Sequence, residues 1–179
     1  MEGGYFCIIM KIKNIFLIGT AIIPLLPGCA LTPVTLDSIG PAPENGKPSD
    51  YAPMGSGWLR VYTATKRHEI GDNTFFYSHT GYRICTKDGQ LWKFIPKNTD
   101  NMDEAASIVE IPAGDYRIFA QSQAYNLVSV PVVIQAGKTT EVHLGTHWKA
   151  PVGTSTNEIV YFPDGWPVGW KSTFTNNNH

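Results

Sequence analysis

Val109-Glu110-Ile111-Pro112-Ala113-Gly114-Asp115-Tyr116-Arg117-Ile118 sets two alternating runs on either side of a Pro-Ala-Gly break. Val109 and Ile111 lie two apart, as do Tyr116 and Ile118, and this is the period of a strand with one buried face. Proline lacks an N–H for a ladder, and glycine accepts backbone angles closed to other residues. The stretch therefore predicts strand, tight turn, strand. Ala120 extends the second run on the face of Tyr116 and Ile118.

The same pattern continues in both directions. Upstream, Trp58 to Thr65 is rich in β-branched and aromatic residues, with Leu59, Val61 and Thr63 on one face. Tyr82–Thr86 and Gln90–Ile95 flank Lys87-Asp88-Gly89, a strong hairpin signal because Asp and Gly tolerate positive φ. Lys66 to His79 is polar and centred on Gly71-Asp72-Asn73, so a long loop is expected, with room for a short strand at Phe75–Tyr77. Downstream, Leu127–Ile134 is a strand whose Pro131 points to an edge position or a bulge. Thr139–Leu144 follows a Gly137 turn, with Thr140, Val142 and Leu144 inward. About seven short strands with closely spaced turns predict an all-β fold, an antiparallel β-sandwich over residues 57–144.

Residues 145–179 differ in composition. Trp148, Tyr161, Phe162, Trp166, Trp170 and Phe174 crowd this segment, and Pro163-Asp164-Gly165 predicts a C-terminal β-hairpin. Two roles suit these rings. They can cover an open edge or face of the sandwich. Alternatively, Trp148, Trp166 and Trp170 can form an exposed surface that stacks on sugars or grips a protein partner. A coplanar exposed pair would favour sugar.

With 42% hydrophobic and 16% charged residues in 179, the composition is that of a globular protein. A net charge of −1 provides no basic excess, so no nucleic-acid partner is expected. Cys7, Cys29 and Cys85 form no CxxC pair, which removes zinc-ribbon and thioredoxin-type chemistry. His143 and His147 lie four apart but not on a predicted helix, and His68-Glu69 lacks a second histidine. Asp100, Asp103 and Glu104 cluster without the glycine and distal glutamate of an EF-hand. No nucleophile elbow or phosphate loop occurs. The chain is therefore expected not to be an enzyme, with no cofactor, no metal and no catalytic residues. A cleft gathering Asp72, His79 and Arg83 would argue otherwise.

At the other end, Lys11 and Lys13 precede about a dozen apolar residues from Ile15 to Leu26. Twelve residues make a helix of about 18 Å, too short for a hydrocarbon core of about 30 Å. This matches a signal-peptide core, and Met10 is better placed than Met1 as its start. Leu26, Gly28 and Cys29 resemble the lipobox of bacterial lipoproteins, although Pro27 departs from the usual Ala, Ser or Thr. The resemblance implies a signal peptide over 1–28, recognition by the signal peptidase at Leu26 and Gly28, and lipidation of Cys29. Ala30, in place of Asp, implies transfer to the outer membrane of a two-membrane bacterium. Residues 29–56, rich in proline and glycine, are expected as a tether, although Leu36, Ile39 and Tyr51 would allow partial packing on the domain.

A second resemblance lies at the opening stretch. Ile111-Pro112-Ala113-Gly114-Asp115-Tyr116 looks like the turn of carboxypeptidase regulatory-like and transthyretin-like domains, and Ala136-Gly137-Lys138-Thr139 looks like that family's last turn. This implies an Ig-like or transthyretin-like sandwich in which Tyr116 packs inward. Together the two resemblances imply a non-catalytic, lipid-anchored envelope protein, structural or protein-binding. The alternative is a module binding peptidoglycan or polysaccharide through its C-terminal tryptophans. The expected partners are the membrane, through lipid on Cys29, and an envelope protein or glycan.

Overall fold

The computed structural model describes residues 32–43, 55–71, 73–97, 105–145 and 148–172. Within them the chain is all-β apart from a short 3-10 turn at Thr156–Glu158. The strands are β1 (Val34–Thr35), β2 (Ser56–Tyr62), β3 (Thr65–Gly71), β4 (Thr74–His79), β5 (Tyr82–Thr86) and β6 (Leu91–Ile95). They continue as β7 (Ile108–Pro112), β8 (Gly114–Ala120), β9 (Val128–Ile134), β10 (Thr139–His143), β11 (Ile159–Tyr161) and β12 (Pro167–Trp170). No helix among the described residues is long and apolar enough to cross a membrane.

Five strands form one sheet in the order β1-β9-β8-β5-β6, and three form another in the order β10-β2-β7. β11–β12 and β3–β4 are separate antiparallel pairs. The inner faces of the two larger sheets share one core. Ile84, Ile118, Val130 and Val132 come from the first, and Leu59, Val61, Ile111 and Val142 from the second. β2 alternates between half-buried and buried along its whole length, as period-2 patterning requires.

The expectation of a purely antiparallel set of about seven strands is corrected. Among the described residues there are twelve short strands in four sheets, and two pairings are parallel: β1 with β9, and β10 with β2. A parallel pair cannot be closed by a tight turn, so it joins segments far apart in the chain, where local sequence signals no direction. The expected loop at 66–79 is also corrected. It is the β3–β4 hairpin, turning at Asn73 with φ +60°. Its strand β3 is mostly exposed and polar, so it lacks the apolar alternation that marks a half-buried strand.

The Pro112-Ala113-Gly114 turn does not make a hairpin. β7 belongs to the three-stranded sheet and β8 to the five-stranded one, so the chain changes layer across Ala113. Gly114 holds φ +153°, where side-chain-bearing residues are disfavoured. The inward positions change parity there, from Val109 and Ile111 to Ile118 and Ala120, with Tyr116 half-buried. The Asp88-Gly89 and Asp164-Gly165 hairpins form as expected.

Residues 32–40 take the packed alternative. Leu36 and Ile39 are buried in the core, and the segment runs beside β9. Val34 stands opposite Val128, yet Ile39 stands opposite Val132, so this segment holds one residue more than β9 over the same length. The extra residue falls opposite Pro131, which has no N–H to offer. Pairing resumes where the Ile39 N–H donates to the Pro131 carbonyl and the Val133 N–H donates to Ile39. On its other side the segment meets β12. The Gly40 N–H donates to Trp170, and the Ser172 N–H donates to Ser38. Val160, Phe162 and Val168 of the C-terminal hairpin complete the core at this edge.

Candidate ligand-binding site

The parallel pairing of β10 with β2 aligns their outward residues. Thr139 lies beside Trp58, Glu141 beside Arg60, and His143 beside Tyr62. Their neighbours Thr140, Val142, Leu59 and Val61 face the core, so this outer row follows from the same period of two. The imidazole of His143 is sandwiched. Tyr62 stacks on it at 4.5 Å between ring centres and 9° from parallel, and Trp148 stacks at 4.9 Å and 5°. Trp170 of β12 then meets Trp148 edge to face, at 6.1 Å and 72°.

Gly169 brings β12 this close to β10. A Cβ there would sit 2.9 Å from the Glu141 carbonyl oxygen and 3.0 Å from Ile39 Cγ2. The result is a pocket of about 170 Å³ lined by Glu141, His143, Trp148, Trp170 and Thr139, with Ala42 and Gly169 also at its wall.

Glu141 links the charges. Its Oε1 accepts from Arg60 Nη1 at 3.4 Å, and its Oε2 lies 3.6 Å from His143 Nε2. Arg60 Nη1 also lies 3.4 Å from the Tyr62 hydroxyl. His143 is only 7% exposed, and its Nε2 has no hydrogen-bond partner among the described residues. Burial pushes its pKa down to about 4, outweighing the nearby carboxylate, so the ring is neutral at pH 7. The corner thus combines an aromatic wall, a carboxylate already paired with arginine, and a neutral imidazole with a free nitrogen. That set suits recognition.

The three expected tryptophans divide. Trp148 and Trp170 are half-buried and come together, but they are nearly perpendicular rather than coplanar. Trp166 stands half exposed at the hairpin turn. Leu26, Gly28 and Cys29 lie outside the described residues, as do His147, Asp72 and the Asp100–Glu104 loop. His79 is buried, with Nδ1 3.0 Å from the Thr63 carbonyl, and Arg83 is exposed on β5. His68 Nε2 hydrogen-bonds Ser78 Oγ at 2.8 Å while its ring stacks on Phe76, a local packing of the β3–β4 hairpin. No group of three His, Cys, Asp or Glu among the described residues is placed to hold a metal ion.

Sequence reasoning missed Trp58, Arg60, Tyr62 and Glu141 and treated His143 as solvated or structural. The signal was present in the strand period, because fixing Thr140, Val142 and Leu144 inward turns Thr139, Glu141 and His143 outward. Comparisons of the chain with models of protein families, with curated proteins and with solved structures gave no match.

Proposed function

We propose that this chain is a non-catalytic, lipid-anchored binding protein of the bacterial cell envelope. Residues 1–28 act as a lipoprotein signal peptide, Cys29 carries the lipid, and an Ig-like or transthyretin-like sandwich presents its outer face to a partner. The localisation on this reading is the outer membrane of a two-membrane bacterium. The observation that carries the binding role is the Tyr62–His143–Trp148 stack with Trp170 across its end. Three rings, His143, Trp148 and Trp170, and the Glu141 carboxylate line one pocket, outside the apolar core. An all-β body without metal-ligand clusters among its described residues agrees with a binding role.

Acyl chains contribute about 0.8 kcal/mol per buried CH₂, so several chains on one cysteine hold a protein at a bilayer. The test is metabolic labelling with an alkyne fatty acid in wild type and Cys29→Ser. Labelling confined to wild type is expected, and equal labelling overturns the anchor. Photo-crosslinking from position 58 in intact cells tests the binding role, with a discrete adduct expected on the β2/β10 face.

A further inference from the structure

We infer that the β3–β4 hairpin is a bilayer contact, carrying Ile70 and Tyr77 into the headgroup layer of the membrane that holds Cys29. This rests on the lipid-anchor reading above and names the part of the anchored body that touches the membrane.

The first argument is placement. Val34, Val128, Ala120 and Tyr82 stand opposite one another on neighbouring strands and form one row across the end of the five-stranded sheet. β1, β9 and β5 all run away from that row, so the chain enters the body at this end. The hairpin leaves from the same end. Its first strand follows β2 after Thr63 and Ala64, and its second ends three residues before Tyr82. The loop joining β8 to β9 holds both. The Ala64 N–H donates to the Gln121 carbonyl, and the Val34 N–H donates to the Leu127 carbonyl. Between them, Gln121 to Asn126 carry no formal charge, so this loop approaches headgroups without stripping water from an ion.

The second argument is length. Thr32 is the first described residue and stands three after Cys29. Three residues span at most about 11 Å. The seven residues of β3 span about 23 Å. A ribbon about twice as long as the link to the lipid, rooted at the same end, reaches the surface to which the lipid is fixed.

The third argument is the ribbon's own surface. Among the described residues neither strand pairs with another sheet. Opposite residues share a face, so Arg67 and Tyr77 lie on one side and Lys66 on the other. All three are exposed, and full burial is confined to the root at Ser78 and His79. The outer part of the ribbon therefore stands clear of the body. Phe75 and Phe76 lie outside the core, the first under the Arg67 guanidinium at 3.4 Å and the second against His68. Ile70 is 46% exposed and Tyr77 45%. Aromatic and aliphatic groups beside lysine and arginine settle at a membrane interface, where the cations extend to the headgroups. In the sequence Lys66 and Arg67 are balanced by Glu69 and Asp72, so the attraction is not electrostatic. Those charges also keep the ribbon at headgroup depth and out of the hydrocarbon.

The test is expression of the full chain with a photo-crosslinking amino acid at position 70, 77 or 88. Isolated membranes are irradiated and the adducts identified by mass spectrometry. Asp88 lies in the β5–β6 turn, at the opposite end of the sheet. Phospholipid adducts are expected from 70 and 77 and not from 88. Ile70→Glu changes an exposed side chain and leaves the anchor in place, and it should remove most of the adduct formed from 77. The same preparations are labelled with the alkyne fatty acid, which reads the anchor separately.

Labelled protein without phospholipid adducts at 70 and 77 overturns this inference alone and leaves the anchor standing. Equal adducts from 88 overturn it too, because they mean that no one end faces the membrane. A protein adduct at 70 in place of lipid would assign the hairpin to a protein partner and also overturns it. Unlabelled wild type defeats the anchor reading, and this inference with it.

Discussion

The imidazole of His143 lies flat against the indole of Trp148, 4.9 Å between centres and 5° from parallel. His143 sits on the outer side of β10, whose other side is core, so its ring is held from beneath by Val142 and Leu144, while Trp148 comes from the irregular segment between β10 and β11. Rigid strands hold side chains more firmly than loops do, so Tyr62, His143 and Trp170 are the firmly held members of the corner.

His143 makes stability depend on pH. Its pKa is lowered by burial from the ordinary 6.5 to about 4, so the unfolded chain binds the proton more readily. The stabilisation is complete above pH 6.5 and is lost as pH falls from there toward 4. Between pH 7 and pH 5 the loss is about 2 kcal/mol. Urea unfolding at both values should show this fall in wild type and a smaller one in His143→Phe. Equal slopes in the two proteins would count against a buried neutral imidazole.

Ile39 is fully buried, although it belongs to a segment rich in proline. Ile39→Ala should cost about 2–5 kcal/mol, the range for truncating a core isoleucine. A residue in a solvated tether would cost less than about 0.5 kcal/mol. The midpoint of denaturant unfolding separates the two.

Gly169→Ala should destabilise the fold by about 1–3 kcal/mol through overpacking, because the neighbours of the added methyl are a backbone oxygen and the Ile39 side chain. It should also shift the fluorescence of Trp170, the next residue. Unfolding and emission spectra of the one variant read both effects.

Tyr82 is buried, and its hydroxyl has no hydrogen-bond partner among the described residues. Burial raises its pKa, so the neutral phenol is the folded form. Tyr82→Phe removes the unpaired oxygen and keeps the ring, and should raise stability by about 1 kcal/mol. A measured loss of stability would mean that the hydroxyl has a partner.

Local signals were legible wherever two residues sufficed to state them. Asp88-Gly89 and Asp164-Gly165 marked their hairpins, and alternation assigned the inward faces of β2, β8 and β10. The β3–β4 hairpin escaped notice because Lys66, Arg67 and Glu69 are exposed and leave no apolar stripe. The layer change at Ala113 was hidden because a turn signal does not say which sheet receives the next strand. Pairing of β10 with β2 joins residues about eighty apart, and no local pattern specifies it. The candidate site needed that pairing. Tyr62 and His143 become neighbours only once the register is known, so Trp148 and Trp170 could be named in advance but their corner could not.

The placement of residues 38–40 has a mechanical consequence. Ile39 is bonded to β9 on one side, while on the other Gly40 is bonded to Trp170 of β12 and Ser38 to Ser172 just beyond it. Tension entering from residue 32 runs along this segment and loads its bonds on both flanks together, in shear, instead of peeling them one at a time. A body moored by its front end would thus meet drag from its surroundings at its best-braced seam.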